Sequence, residues 1–383
     1  MRTAAVGVIG IGTIGAMTMW QVARRGHSVI GFEQHAPGHQ LGGAAGDTRW
    51  VRVASEGERY IPLVQRALPL WRELEDDSGM SLLDQCGGLY VGPPGGAFIR
   101  SVRANCERFD LPHDVLRPEE IRTRYPHLRV GDDEVGIYEA DAGHVQASAS
   151  VVAAARAAEA HGAVIHPYST VTAVQPTDDG VLVTVDGEDW SFDRVVIATG
   201  AWGRVLLPDH IPHLEIERFL VSWYPTVQGS PWTRPGTPIF ERQGDEYIFG
   251  SWPSTDGTSV KVGFAAPLDT LRDAADMHQG YSQKAAQVTD AYVAQWLDHV
   301  IPHSVRHAVG MDGHTPDRDF VLGFLPELPN IVVALGQAGH GFKMSPATGA
   351  AVADLLESGE THPDLDGFRP DRFTILPYLD FGG

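Results

Sequence analysis

The sequence predicts an α/β protein, a Rossmann-like domain into which an α+β domain built on an antiparallel sheet is inserted. Three observations predict it. The chain opens with a strand, a glycine turn, a helix and a second strand over residues 4–33. Apolar strands followed by glycines recur at 194–203 and 331–341. The stretch 216–265 is rich in aromatics and turns, as an antiparallel sheet requires.

The opening unit has the order that a dinucleotide needs. The apolar run Ala4 to Ile9 leads into Gly10-Ile11-Gly12-Thr13-Ile14-Gly15, and a helical stretch follows to about Arg25. Gly10 allows the tight turn, Gly12 lets the backbone approach a pyrophosphate, and Gly15 lets the helix pack close to the strand. The helix N-terminus presents free amides and a partial positive charge to phosphate. After Gly26 a second apolar run ends on Glu33. An acid there is placed to accept from a ribose hydroxyl and would repel a phosphorylated ribose.

Further elements follow by periodicity. Residues 60–76 read as a helix, with Ile61, Val64, Leu68, Trp71 and Leu74 on one face, and Ala147 to Ala160 as an alanine-rich helix. Strand-like runs lie at 163–166, 169–174 and 181–185, and Arg194 to Thr199 is a continuous strand entering Gly200-Ala201-Trp202-Gly203. Residues 268–300 look helical, Ile331 to Leu335 is a buried strand, and a last helix is expected from about Pro346 to Leu356. The cofactor domain is therefore expected to be discontinuous, 1–85, 146–215 and 308–383, with 86–145 and 216–307 forming the substrate domain.

Composition narrows the function. A chain of 383 residues with 43% hydrophobic content can bury a large core. A formal net charge of -20 argues against nucleic acid or an anionic membrane as partner. Cys86 and Cys106, the two cysteines, have neither a metal-ligand spacing nor a disulfide framework, which suits a cytoplasmic location, and no metal site is expected. The apolar N-terminus reads as a buried strand rather than a signal peptide.

The lysines carry a second signal. Of 29 basic residues only Lys261, Lys284 and Lys343 are lysine. Where lysine persists against such a bias, a compact ammonium is a requirement that a planar guanidinium does not meet. Lys284 sits in a polar helical stretch and reads as a surface residue. Lys261 lies in Ser259-Val260-Lys261-Val262-Gly263-Phe264, where a charge among apolar neighbours is costly. Lys343 follows Gly339-His340-Gly341-Phe342.

With these motifs in order the chain resembles the FAD-dependent amine oxidases of the monomeric sarcosine oxidase and N-methyltryptophan oxidase group, within the D-amino acid oxidase-like family. The resemblance runs nearly end to end. It includes the N-terminal fingerprint, Gly46-Asp47-Thr48-Arg49-Trp50-Val51-Arg52, Tyr60-Ile61-Pro62-Leu63, Trp71-Arg72-Glu73-Leu74, Lys261-Val262-Gly263, Thr315-Pro316-Asp317 and Gly339-His340-Gly341-Phe342-Lys343. It implies a Rossmann-like FAD-binding domain and a flavin set of Gly10, Gly12, Gly15, Glu33, Thr48, Arg49, Val171, Gly200, Gly339, His340, Gly341 and Lys343. Arg49 resembles the arginine against the flavin ring, and Arg52 with Lys343 the pair that clamps a substrate carboxylate. Lys261 resembles the lysine that promotes reaction with oxygen, where a fixed cation stabilises an anionic oxygen species.

Departures from the group carry further implications. The group's flavin-linked cysteine falls at Gly310, so FAD is expected to be non-covalent. A pocket tyrosine falls at Asp312 and a pocket histidine at Ala265. Asp312 is expected either only to neutralise the nearby cations or to face the substrate and pair with its amine or another polar donor. The expected partners are thus a small-molecule amine carboxylate and molecular oxygen, with no nucleic acid and no membrane. The favoured activity is oxidation of a secondary amino acid, N-methyl or cyclic, to an imine with release of peroxide. A same-fold dehydrogenase with another electron acceptor and a flavin-binding subunit without turnover remain as alternatives. The sequence leaves the substrate, its chirality and the oligomeric state open.

Overall fold

A computed structural model describes residues 2–211, 214–244, 247–264, 266–360 and 362–373. Two large sheets organise it. In the eight-stranded sheet, Arg2–Ile9 lies between Val29–Glu33 and Glu188–Ile197, parallel to both. Val6 pairs with Val29 on one side and Val8 with Val196 on the other. Val164–Pro167 extends the sheet beyond Val29–Glu33. Glu188–Ile197 divides its partners: its first half pairs with Gly180–Val185 and its last residues with Leu328–Leu335. The parallel-paired segments Val195–Ile197 and Ile331–Val333 are continuous valine and isoleucine and fully buried, as a sheet covered on both faces requires.

The helices on one face pack unusually close. Thr13–Arg24 is buried from Ile14 through Ala23 and lies against Ala147–Ala160 and Gly341–Ser358. A Cβ at Gly349 would come within 2.6 Å of the Met17 carbonyl carbon, so only glycine permits this crossing. The alanines of 147–160 serve the same end, since seven small or medium side chains among 150–158 are buried there. Ile61–Ser78 completes the layer, with the Trp71 indole donating to the Lys343 carbonyl at 3.0 Å.

The nine-stranded sheet runs in the order Asp269–Leu271, Glu215–Pro225, Ser259–Phe264, Ile248–Trp252, Ile239–Gln243, Gly88–Gly92, Val135–Glu139 and Asp114–Leu116. Arg306–His314 also pairs with Glu215–Pro225, so sheet membership changes between His314 and Val321. The sheet is antiparallel except where Ile239–Gln243 runs parallel to Gly88–Gly92. A small sheet of Thr48–Val51, Gly143–Gln146 and Leu83–Asp84 lies beside it. Among the described residues no helix is long and apolar enough to cross a membrane.

Two sequence expectations are corrected. Residues 268–300 are not one helical region: only Gln283–Trp296 is α-helical, after a strand at Asp269–Leu271 and a 3-10 turn at Ala274–Asp276. The buried Arg218 holds the earlier part open by bonding Asp269 and the carbonyls of His278 and Gly280. The last helix begins at Gly341, not Pro346, and Pro346 sits inside it. Complete burial of residues 341–353 outweighs the hydrogen bond that proline forfeits.

Candidate active site

A cavity of about 820 Å³ is lined by loops of the eight-stranded sheet and by strands of the nine-stranded one. Its first part is the glycine turn. Gly10 has φ +85°, and a Cβ there would meet the Ala198 oxygen at 2.9 Å. A Cβ at Gly15 would lie 1.8 Å from the Gly10 oxygen, so Gly15 is the helix-to-strand contact. Gly12 is the N-cap of Thr13–Arg24, lines the cavity, and has nothing within 4 Å of its missing Cβ. That open ground before a helix N-terminus suits a pyrophosphate. Glu33 also lines the cavity, and its two oxygens are steadied by the amides of Ile11 at 2.8 Å and His35 at 2.9 Å. Each oxygen keeps a lone pair for a ribose hydroxyl. Val171 and Gly200 line the same cavity.

The second part is the turn Gly336–His340. Gly336, Ala338 and Gly339 all have positive φ, which points this segment's polar groups away from regular structure. Gly339, His340, Gly341 and Lys343 line the cavity at the head of Gly341–Ser358. Both amide atoms of Gln337 and the Thr199 hydroxyl are buried without a hydrogen-bond partner, and both residues line the cavity. Buried polar atoms of this kind are normally satisfied. An isoalloxazine edge, which carries alternating donors and acceptors, fits them.

The third part holds the charges. Arg49 lines the cavity, donates to the carbonyls of Thr48 at 2.8 Å and Gly43 at 2.7 Å, and lies 5.2 Å from the Phe219 ring centre. Burial lowers it to about 10, against the opposing pull of Asp312 and Asp47. Thr48 is not a lining residue; its carbonyl anchors Arg49 and Lys261. Arg52 is buried, donates to the Ala54 carbonyl at 3.2 Å and to Glu56 at 3.3 Å, and forms an ion pair with Glu241 at 3.1 Å without a directed hydrogen bond. Burial opposes its charge, but Glu241 and Glu56 outweigh that and hold it firmly protonated. Lys343 is lowered to about 8 by burial and by Arg52, with Glu56 opposing. His340 stacks on Tyr60 at 4.9 Å and is lowered to about 3 by burial and by Lys343.

Two predicted residues sit differently from expectation. Lys261 does not line the cavity: its ammonium donates to the carbonyls of Gly46, at 3.0 Å, and Thr48, and lies 3.7 Å from the Trp252 ring centre. Burial and then Arg49 disfavour its charge. Asp312 does line the cavity, and each of its oxygens already accepts an amide, that of Gly313 at 2.9 Å and that of Gly339 at 2.6 Å. It braces the glycine turn beneath His340. Burial raises its carboxyl against those bonds. Ala265 lies outside the described residues.

Several contributors were not foreseen from sequence. Trp50 and Trp252 stack at 4.7 Å and line the cavity, each with an indole N–H that has no partner. Glu139 accepts from the Tyr90 hydroxyl at 2.8 Å and from the amides of Val53 and Ala54, which fixes the segment carrying Arg52. Glu241 and Glu56 neutralise Arg52. Away from the cavity, Asp84, Cys86 and His144 bring ligand-type atoms within 4.8 Å of one another, a grouping that linear spacing conceals. Burial raises the Cys86 thiol to about 12, and it faces His144 Nδ1 at 3.6 Å.

A family profile described as FAD dependent oxidoreductase matches residues 5–355. The chain belongs to this family. Among FAD-dependent oxidoreductases it is 30% identical over 382 residues to a monomeric sarcosine oxidase of Streptomyces avermitilis, covering 97% of this chain and 98% of that one. It is 31% identical over 378 residues to an N-methyl-L-tryptophan oxidase of Shigella flexneri, with 96% and 98% covered. Among solved structures it resembles NikD, described as an unusual amino acid oxidase essential for nikkomycin biosynthesis, with TM-score 0.84, 26% identity and 97% and 98% coverage. An L-proline dehydrogenase from P. horikoshii shares the fold, with TM-score 0.84 and 20% identity over 97% of this chain and 98% of that one. As an FAD-dependent oxidoreductase the chain has FAD as its cofactor. The open ground at Gly12, the held acid at Glu33 and the orphaned amide of Gln337 are where this structure would receive it.

Proposed function

We propose that the protein oxidises a secondary amino acid, N-methyl or cyclic, to its imine, with FAD held non-covalently and oxygen as acceptor. The observation that carries the reading is the pair of buried cations, Arg52 and Lys343, in the wall of the flavin cavity. A carboxylate in a desolvated pocket needs such donors, and charge-assisted bonds are the strong ones. Bound FAD supplies two-electron oxidation next to nitrogen and return of the electrons to oxygen as peroxide. The chain's own residues do the rest. Arg52 and Lys343 hold the carboxylate, the Trp50–Trp252 stack walls off water, and Asp312 keeps the Gly339 amide aimed. The cofactor domain is read as 1–85, 146–215 and 308–383 around a substrate domain of 86–145 and 216–307, with Arg306–His314 at the seam.

Non-covalent attachment is supported at Gly310. A Cβ there would come 2.3 Å from Phe219 and 2.8 Å from Ala45, which leaves no room for a cysteine side chain. Cys86 and Cys106 are buried, free and absent from the cavity wall, as a reducing cytoplasm allows. A second reading, a dehydrogenase with another acceptor, is favoured by one observation: Lys261, the cation expected to serve oxygen, is turned onto two carbonyls behind the wall. Turnover of N-methyl and cyclic amino acids with oxygen, read as peroxide, against turnover with an artificial dye tests the two. Peroxide at a rate equal to substrate loss supports the oxidase. Dye reduction without peroxide supports the dehydrogenase and overturns oxygen as acceptor, and the absence of both overturns the proposal.

A further inference from the structure

Glu241 is the acid whose presence the reading above does not use. It lies in Ile239–Gln243, is 3% exposed and lines the cavity. Its Oε1 accepts from the Gln243 amide at 3.1 Å. Its Oε2 receives no directed hydrogen bond, although Arg52 Nη2 lies 3.1 Å away. The groups facing it are Arg52, Glu56 from the loop after Arg52, Lys343 from the last helix and Tyr90 from the neighbouring strand.

Charge balance shows what ligand this arrangement accepts. Arg52 and Lys343 supply two cations, and Glu56 and Glu241 two anions, while Glu139, which also acts on both cations, is held by the Tyr90 hydroxyl and the amides of Val53 and Ala54. The empty arrangement therefore has no cation in excess. A ligand carrying only a carboxylate would add an uncompensated anion to a desolvated site, which is unfavourable. A zwitterion brings its own cation and preserves the balance. Glu56 is 38% exposed at its side chain and keeps its hydration, whereas Glu241 is dry and its Oε2, ion-paired with Arg52, accepts no directed hydrogen bond.

We propose that Glu241 is the residue that receives the substrate's amine: Oε2 pairs with the protonated nitrogen of the bound zwitterion and takes its proton. The N–H bond breaks, an O–H bond forms on Glu241, and the nitrogen keeps its electron pair for imine formation. No oxidant takes part in this step. Burial favours the protonated carboxyl and so assists the transfer. The inference rests on the amine-oxidase reading above.

The test uses the FAD-loaded protein and two ligands of one shape, an N-methyl or cyclic amino acid and its amine-free carboxylate analogue, with binding read from the flavin spectrum. Glu241→Gln should weaken the amino acid at least tenfold at neutral pH while the analogue binds as well or better. The midpoint of anaerobic flavin reduction against pH should move up toward the amine's own pKa. A measurement on the unaltered protein does not depend on the variant folding: calorimetry in two buffers should show proton uptake with the analogue and none with the amino acid. Equal weakening of both ligands, an unmoved pH profile or equal proton uptake overturns the assignment. If the unaltered protein neither binds nor is reduced by any amine carboxylate, the amine-oxidase reading itself fails and the inference goes with it.

Discussion

Replacing Lys261 by methionine separates two things a buried lysine can do. In this structure its ammonium holds the turn Gly46–Asp47, where both residues have positive φ, by donating to the carbonyls of Gly46 and Thr48. Thr48 in turn anchors Arg49. Methionine keeps the length and the contact with Trp252, but leaves two acceptors without their donor at about 1–3 kcal/mol each. Removing a buried charge recovers part of that cost. The net expectation is a loss of roughly 2–4 kcal/mol in unfolding free energy. Equilibrium denaturation of the flavin-loaded protein reads it. A variant within about 0.5 kcal/mol of the original would refute the clamp, that being the scatter of surface substitutions. The kinetic expectation is separate. If the cation also serves oxygen, reoxidation of reduced flavin slows by about two to three orders of magnitude while reduction by substrate changes little. Equal slowing of both half-reactions in stopped-flow would remove Lys261 from the oxygen step.

Three further outcomes follow from the site. Asp312→Asn replaces an acceptor of two amides by a group with one acceptor and a donor, so it should cost about 1.5–3 kcal/mol and lower the flavin-to-protein ratio, leaving the ranking among substrates unchanged; a changed ranking with full flavin content would return Asp312 to the substrate. Lys343, lowered to about 8, is charged below that pH and neutral above it, so affinity for an amine-free carboxylate should fall as pH rises through 8, and Lys343→Met should flatten that fall. Acid or heat should release intact FAD, and Gly310→Cys should be destabilised by about 1–3 kcal/mol through overpacking against Phe219, with its flavin still extractable; flavin that sediments with the denatured chain contradicts this.

What the sequence made legible was local. The glycine fingerprint, the strand ending in Glu33 and the helix Ala147–Ala160 are each specified by residues a few positions apart, and they appear where expected. Residues 268–300 misled because alanines and a polar pattern resemble a helix, while the deciding contacts come from Arg218, some fifty residues earlier. Pro346 misled because a local breaker was read without the packing that overrides it. The charge constellation was half visible. Arg52 and Lys343 stood out, but their counterions did not. Glu241 lies inside an ordinary-looking strand, Ile-Phe-Glu-Arg-Gln, and meets Arg52 only when strands distant in the chain are brought together. The same holds for the Trp50–Trp252 stack and for the Tyr90–Glu139 bond.

The central claim is that an amine carboxylate, gripped by Arg52 and Lys343, delivers electrons to FAD in this cavity. Anaerobic mixing of the flavin-loaded protein with N-methyl and cyclic amino acids tests it most directly. The account predicts loss of the oxidised-flavin absorbance at a rate that saturates with substrate, competitive inhibition by an amine-free carboxylate, and at least a tenfold loss of apparent affinity in Arg52→Ala. Flavin that stays oxidised with every amine carboxylate, or reduction that Arg52→Ala leaves unchanged, would contradict it.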